Sequence, residues 1–330
     1  MKKWIACMLA ALLAVLPMGC AAEEEGLTQI RLSEVTHSVF YAPQYVAMSQ
    51  GFFAEEGLEL ELLNGGGADK VMTSVLTGEV EIGLAGPEAS IYVLLEGRDN
   101  APKIFAQLTR RDGNFLMGRT DEDFSWENVR GKTIIGGRKG GVPEMTLEYV
   151  MKQNGIVPQE DAVVDTSIQF DMMAGAFSGG TGDYVTLFEP TATEMELAGK
   201  GYILCSIGEE SGEIPYTAYF AAGDYMEENP EIIQKFTNAI AKGQQWVMDH
   251  TDAEVAAALV EYFPDTDLSV LEAVSARYRG IGAWNETPVM GEEGLERLQD
   301  VMEEAGELKE RVAFSDLVDN SFAEAAVSAP

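Results

Sequence analysis

Several short stretches of this chain have residue types and spacings suited to holding a small molecule. Two neighbouring rings, Phe40 and Tyr41, stand in "THSVFYAPQYVAMSQG" where a strand pattern stops and a helix pattern begins near Pro43. Rings at such a corner stack on a planar ligand or wall off a small one. The competing reading packs one of them under the helix, and at least one is expected to face a ligand. "GLAGPEAS" places Gly86 and Glu88 at a later strand-to-helix turn, where the free amides of Glu88, Ala89 and Ser90 suit an anion or a carbonyl. Glu88 facing inward argues instead for a ligand with hydrogen-bond donors; facing outward it only complements the helix dipole. "GGRKGGVPEM" offers Arg138 with the amides of Gly140 and Gly141, a set fit for a carboxylate, a sulfonate or a polar ring edge. Arg138 also reads as a solvated surface charge. The loop lacks P-loop spacing and a Lys-Ser/Thr pair after its last Gly, so no nucleotide site is expected. "LFEPTAT" puts Glu189 at another strand end, where its carboxylate can accept from a ligand amine or ring N–H. Two acids against one arginine favour a neutral or cationic heterocycle over an anion.

Nucleophilic and metal chemistry have less to draw on. Cys205 lies in the apolar run "YILCSI" and reads as a small buried hydrophobe. The only histidines, His37 and His250, are far apart, so no metal site and no cofactor are expected. His37 reads as a hydrogen-bonded residue at a cleft edge or surface.

These residues need elements to position them. From Leu27 the chain alternates strand-like and helix-like runs: "IRLSEV", "APQYVAMSQ", "LELELL", "ADKVMTSVLT", "EIGLAG" and "PEASIYVLLE", the last with Pro87 first and Gly97 just past its end. Such alternation predicts a parallel-type α/β sheet. A second set follows: "KTIIGG", "PEMTLEYVMKQ", "AVVDTSIQF", a short Met-rich helix, "DYVTLF", "PTATEMELA" and "GYILCSI". Helices are then predicted over 230–250, 253–262, 268–278 and 292–305, and the tail from Val312 reads as weakly ordered.

The pattern predicts two α/β lobes joined by two extended crossings, near Gln107–Gly118 and Glu213–Ala222. Lobe 1 spans 27–110 and 218–310, with the C-terminal helices covering it; lobe 2 spans 111–217, and 311–330 is a tail. Ligands of open α/β sheets lie beyond the carboxyl ends of strands, so the cleft between the lobes is the expected site, buried by hinge closure. Asn114 and Phe115 on one crossing and Tyr216 and Thr217 on the other reach it, although Phe115 and Tyr219 also read as core. Met172 and Met173 are expected to pack a helix. Trp284 reads either as a cleft rim or as an anchor for the tail.

Composition bounds the partners. With 46% hydrophobic residues in 330 the chain can bury a large core. Its net charge of -33 would repel phosphate backbones, so nucleic acid is not an expected partner. "MKKWIACMLAALLAVLPMGC" has the basic start, apolar run and small-residue end of an export signal. Cys20 after Gly19 resembles a bacterial lipoprotein box, with Pro17 and Met18 departing from the usual pattern; a plain cleaved signal is the alternative. Lipidation at Cys20 would make "AAEEEG" a short acidic tether at the extracytoplasmic face of the cell membrane, and leave Cys205 as the one cysteine of the mature chain.

The phrases "YAPQYVAMSQGFFAEEGLELEL", "GADKVMTSVLTGEVEIGLAGPEASI", "GKTIIGGRKGGVPEMTLEYVMKQNG" and "LFEPTATEME" closely resemble substrate-binding proteins of ABC importers, in the branch with nitrate, sulfonate, taurine, bicarbonate and thiamine-precursor binders. The resemblance runs from about Leu27 to Met302. It implies a two-lobed type II periplasmic-binding-protein fold, a monomer that presents a small molecule to an ABC permease and its ATPase, and a ligand-contacting acid or polar group at the Glu189 turn. A lipid anchor would suit a Gram-positive cell. The branch also contains a pyrimidine synthase that uses a cysteine-rich run; this mature chain has none, so no enzymatic activity is expected. The favoured ligand is a thiamine-precursor-like pyrimidine or other heterocycle, with a sulfonate- or nitrate-type anion as the alternative.

Overall fold

A computed structural model describes residues 26–98 and 100–328. The signal and the lipidation position Cys20 lie outside the described residues. Two five-stranded sheets build the fold. The first contains β1 (Thr28–Glu34), β2 (Leu58–Asn64), β3 (Ile82–Ala85), β4 (Lys103–Thr109) and β10 (Thr217–Ala221), in the order β2-β1-β3-β10-β4. The second contains β5 (Phe115–Gly118), β6 (Thr133–Ile135), β7 (Val163–Asp165), β8 (Tyr184–Leu187) and β9 (Tyr202–Ser206), in the order β7-β6-β8-β5-β9. In each, a parallel trio joins an antiparallel pair, the mixed sheet of an α/β fold. We call the sheets with their helices lobes 1 and 2.

Burial follows strand position. All four residues of the central strand β3 are buried, whereas the edge strand β2 turns Glu59 and Glu61 to solvent. Acids along an edge discourage pairing with another chain. The stretch "AVVDTSIQF" was expected as a longer strand, but β7 ends at Asp165. There the Asp165 carboxylate accepts from the amide (2.9 Å) and hydroxyl (2.7 Å) of Ser167, a local turn that competes with the ladder.

The crossings run between β4 and β5 and between β9 and β10. They are bonded side by side: Ile207 N–H donates to Asn114 O (3.0 Å), Ile214 N–H to Arg110 O (3.0 Å) and Tyr216 N–H to Thr109 O (3.1 Å). Gly208 is required here, because a Cβ would lie 2.1 Å from the Asp112 carbonyl oxygen.

Two expectations are corrected. The C-terminal helices do not cover lobe 1 alone. Helix Pro230–Asp249 packs on Ala42–Ser49, but Glu292–Glu304 reaches Val142–Gln153 of lobe 2, where Lys152 Nζ donates to Glu304 O (2.6 Å). An amphipathic stripe records that a face is buried, not which lobe buries it. The segment after Val312 is also structured: it forms helices Phe314–Leu317 and Ser321–Ser328, Asp319 N–H donates to Ile104 O (2.8 Å), and Gln234 Nε2 donates to Phe322 O (3.0 Å). Among the described residues no helix is long and apolar enough to cross a membrane.

Candidate ligand cleft

Between the lobes, beyond the strand ends, lies a cleft with a free volume of about 50 Å³. Lobe 1 contributes Tyr41, Asp69, Gly86 and Glu88, and lobe 2 contributes Arg138, Gly141, Val142, Gln169, Phe170 and Phe188. Tyr216 and Thr217 enter from the second crossing. A void of this size holds only a few heavy atoms, so a larger ligand requires the lobes to part.

Phe40 and Tyr41 take opposite roles. They are consecutive in the single turn Val39–Tyr41, opened by Ser38, whose Oγ accepts the Phe40 N–H (3.1 Å). At three residues per turn, neighbouring side chains leave in different directions. Tyr41 lines the cleft, and its buried hydroxyl has no hydrogen-bond partner among the described residues. Phe40 turns into the core, with ring centroids 5.0 Å from Phe188, 5.2 Å from Tyr278 and 5.6 Å from Tyr216. Gly113 lies under that ring, where a Cβ would fall 2.6 Å from Phe40 Cδ2. Trp284 is in the core too, its Nε1–H donating to Phe40 O (3.0 Å).

Phe170, Phe188, Gln169 and Asp69 were not singled out in the sequence. Phe188 immediately precedes Glu189 after the end of β8, at the same strand-to-helix turn. Phe170, in the turn Phe170–Met172, carried no such signal.

Glu88 faces the cleft and serves its helix at once. Its carboxylate folds back over Gly86, where a Cβ would meet Oε2 at 2.0 Å. Oε1 lies 3.4 Å from the Val142 N–H, so it faces the start of the lobe 2 helix Val142–Gln153 as well. No donor reaches Oε2 in hydrogen-bonding geometry. Burial pushes this carboxyl above its ordinary range, and the charge of Arg138 and nearby backbone amides temper the rise. Arg138 holds a lobe 1 partner: its Nε is 3.7 Å from Asp69 Oδ1.

The glycine amides expected to bind an anion are engaged within the protein. Gly140 N–H donates to Glu144 Oε2 (3.0 Å), its carbonyl accepts from Tyr92 Oη (2.9 Å), and Gly141 N–H donates to Arg138 O (3.1 Å). Gly141 lines the cleft; Gly140 does not.

Glu189 is buried and lines a second cavity between the lobes, which shares Phe170 and Phe188 with the cleft; its carboxylate accepts from Thr193 N–H (2.9 Å), Thr193 Oγ1 (2.9 Å) and the Arg277 guanidinium. Its hydrogen-bonding capacity serves the fold. Asn114 sits behind the cleft, donating from Nδ2 to Asp112 Oδ1 (2.8 Å) and Tyr216 Oη (2.9 Å). It orients Tyr216, which does line the wall. Thr217 Oγ1 is 2.6 Å from Thr109 Oγ1, stitching β10 to β4. Met173 is buried, while Met172 is 61% exposed and packs no helix.

His37 is hydrogen-bonded at the edge of the adjoining interlobe cavity, its ring nitrogens at Glu34 Oε1 (3.1 Å) and Tyr262 O (2.7 Å). Among the described residues no group of three or more His, Cys, Asp or Glu has the arrangement of a metal site.

Comparison with known proteins agrees with this architecture. Bacillus subtilis YtlA, described as a binding protein, is 42% identical over 333 residues, covering 99% of both chains. The 4-amino-5-hydroxymethyl-2-methylpyrimidine phosphate synthase of Aspergillus parasiticus is 26% identical over 68% of this chain and 66% of its own length. In fold, the alkanesulfonate-binding protein SsuA from Xanthomonas axonopodis superposes with a TM-score of 0.72 at 15% identity, covering 90% of this chain and 99% of that one. The family model described as NMT1/THI5 like matches residues 39–254, and the chain belongs to that family.

Proposed function

We propose that this protein is the extracytoplasmic substrate-binding component of an ABC importer. It captures a small organic molecule, a thiamine-precursor-like pyrimidine or other nitrogen heterocycle, by hinge closure and passes it to the permease. Cys20 anchors it to the membrane through lipid, and it makes or breaks no bond of its ligand. The observation that carries the ligand reading is the cleft wall, where the rings of Tyr41, Phe170, Phe188 and Tyr216 line the same cavity as a buried carboxylate, Glu88. Flat rings offer stacking surface, and a carboxylate accepts from ring or amine N–H groups. The resemblance to YtlA supports a binding role, and the lobes with paired crossings support closure.

An anion of the sulfonate or nitrate type is the second reading, favoured by Arg138 at the cleft. Against it, Glu88 already presents a carboxylate where the helices Pro87–Leu95 and Val142–Gln153 begin, the place an oxyanion would take. Native mass spectrometry of gently purified protein, followed by denaturation, identifies whatever is released. A bound heterocycle is expected; a released oxyanion would reverse the assignment.

A further inference from the structure

Two residues that line the cleft carry buried polar atoms with no hydrogen-bond partner among the described residues, Glu88 Oε2 and Tyr41 Oη. Both residues are almost wholly buried, at 1% and 0% exposure. A buried carboxylate oxygen without a donor is costly, and protein interiors retain such a group where something else completes it. Among the described residues no cation is in ion-pair range of Glu88. Arg138 lines the same cleft, but among those residues its guanidinium is in ion-pair range of Asp69 alone, at Nε–Oδ1 3.7 Å. Counting side chains at the cleft, two carboxylates face one guanidinium.

The walls are aromatic on several sides: Tyr41, Phe170, Phe188 and Tyr216. Ring faces attract cations, and desolvation strengthens the attraction. Rings alone are compatible with any planar ligand, and a carboxylate alone with any donor. Their combination, with Arg138 in ion-pair range of Asp69 and not of Glu88, favours positive charge.

Resting on the reading of this cleft as the ligand site, we propose that the ligand binds as a small planar organic cation of the amidinium type, donating N–H to Glu88 Oε2 while the rings enclose it. Tyr41 Oη takes a second N–H or donates to a ligand acceptor. A protonated amino-substituted ring and a simple amidinium share this edge.

Acetamidinium and acetamide test the idea directly, because they match in shape and differ in charge and in one position, an NH2 group where acetamide has its oxygen. Calorimetric titration of the purified protein should show saturable binding of acetamidinium, with acetamide weaker by about tenfold or more, the scale of one charge-assisted hydrogen bond. Glu88→Gln, which keeps the shape and removes the charge, should abolish that preference. Tyr41→Phe should weaken acetamidinium by a few-fold; its circular-dichroism spectrum and melting curve establish that it is folded. Equal affinity for the two probes, no binding of acetamidinium at millimolar concentration, or an undiminished preference in Glu88→Gln would each overturn the proposal. A neutral aminopyrimidine held equally by wild type and Glu88→Gln would overturn the cation and leave the heterocycle-binding function intact. Saturable binding of nitrate or methanesulfonate, lost in Arg138→Ala, would overturn both.

Discussion

Arg277 and Glu189 join the two lobes beside the cleft: the guanidinium from helix Leu268–Gly280 meets a fully buried carboxylate at the end of β8. Burial raises the Glu189 carboxyl above its ordinary range, and Arg277 opposes that rise. Removing the arginine leaves a buried charge with only Thr193 to satisfy it. Arg277→Ala should therefore cost about 2–4 kcal/mol in urea denaturation, somewhat less than a fully buried pair, because 32% of the Arg277 side chain is solvated. The raised carboxyl is protonated first in the folded state, so lowering the pH should recover part of the loss. Unchanged stability would remove this pair from the forces holding the lobes.

Glu189 carries a second consequence. Because its carboxylate is occupied by Thr193 and Arg277, Glu189→Gln should lower the melting temperature while leaving ligand affinity within a few-fold. Loss of binding in a variant that is still folded would return Glu189 to the site.

Asp112 on the first crossing is buried, and burial pushes its carboxyl up to about 7, with donors from Asn114 and Tyr216 holding it back. The folded state then takes up this proton before the unfolded state does, so the group costs stability as pH rises from the ordinary aspartate value through about 7. The slope from this group is at most about 1.4 kcal/mol per pH unit. Asp112→Asn should flatten the fall in stability across that window, read from urea midpoints at successive pH values. A parallel pH profile for variant and wild type would place the proton elsewhere.

Gly208 meets the Asp112 carbonyl on the adjoining crossing, where a Cβ would lie 2.1 Å from the oxygen. The obstacle is backbone, which cannot swing away as a side chain would. Gly208→Ala should cost about 1–3 kcal/mol by overpacking and should alter the crossings on which the proposed closure would turn. Thermal melting reads the first effect and small-angle scattering with and without ligand the second. A neutral substitution in both would show the crossings to be more pliant than their contacts imply.

Burial pushes the Cys205 thiol up to about 12, with Glu210 and Glu209 adding to the rise. At neutral pH it should react with iodoacetamide slowly in the native protein and at the ordinary thiol rate in denaturant. Equal rates in both states would contradict this environment.

The sequence by itself determined much of the frame. Strand and helix alternation, with Pro87 opening a helix and Gly97 ending it, is local chemistry set by backbone preference, and it yields two α/β units wherever those units come to rest. Strand-to-helix turns marked the region of the cleft because parallel strands must end on the same side. Tertiary structure decided which side chain at each turn enters it. Phe40 and Tyr41 differ by one residue in a three-residue turn, and the space under Gly113 takes the first ring and leaves the second at the cleft. Glu189 looked like a binding group until Arg277, 88 positions later, was brought against it. Periodicity shows that a helix has a buried face, but the partner of that face, or of a buried charge, is fixed by contacts between distant segments. For the same reason Glu292–Glu304 could be read as a helix and its contact with lobe 2 could not.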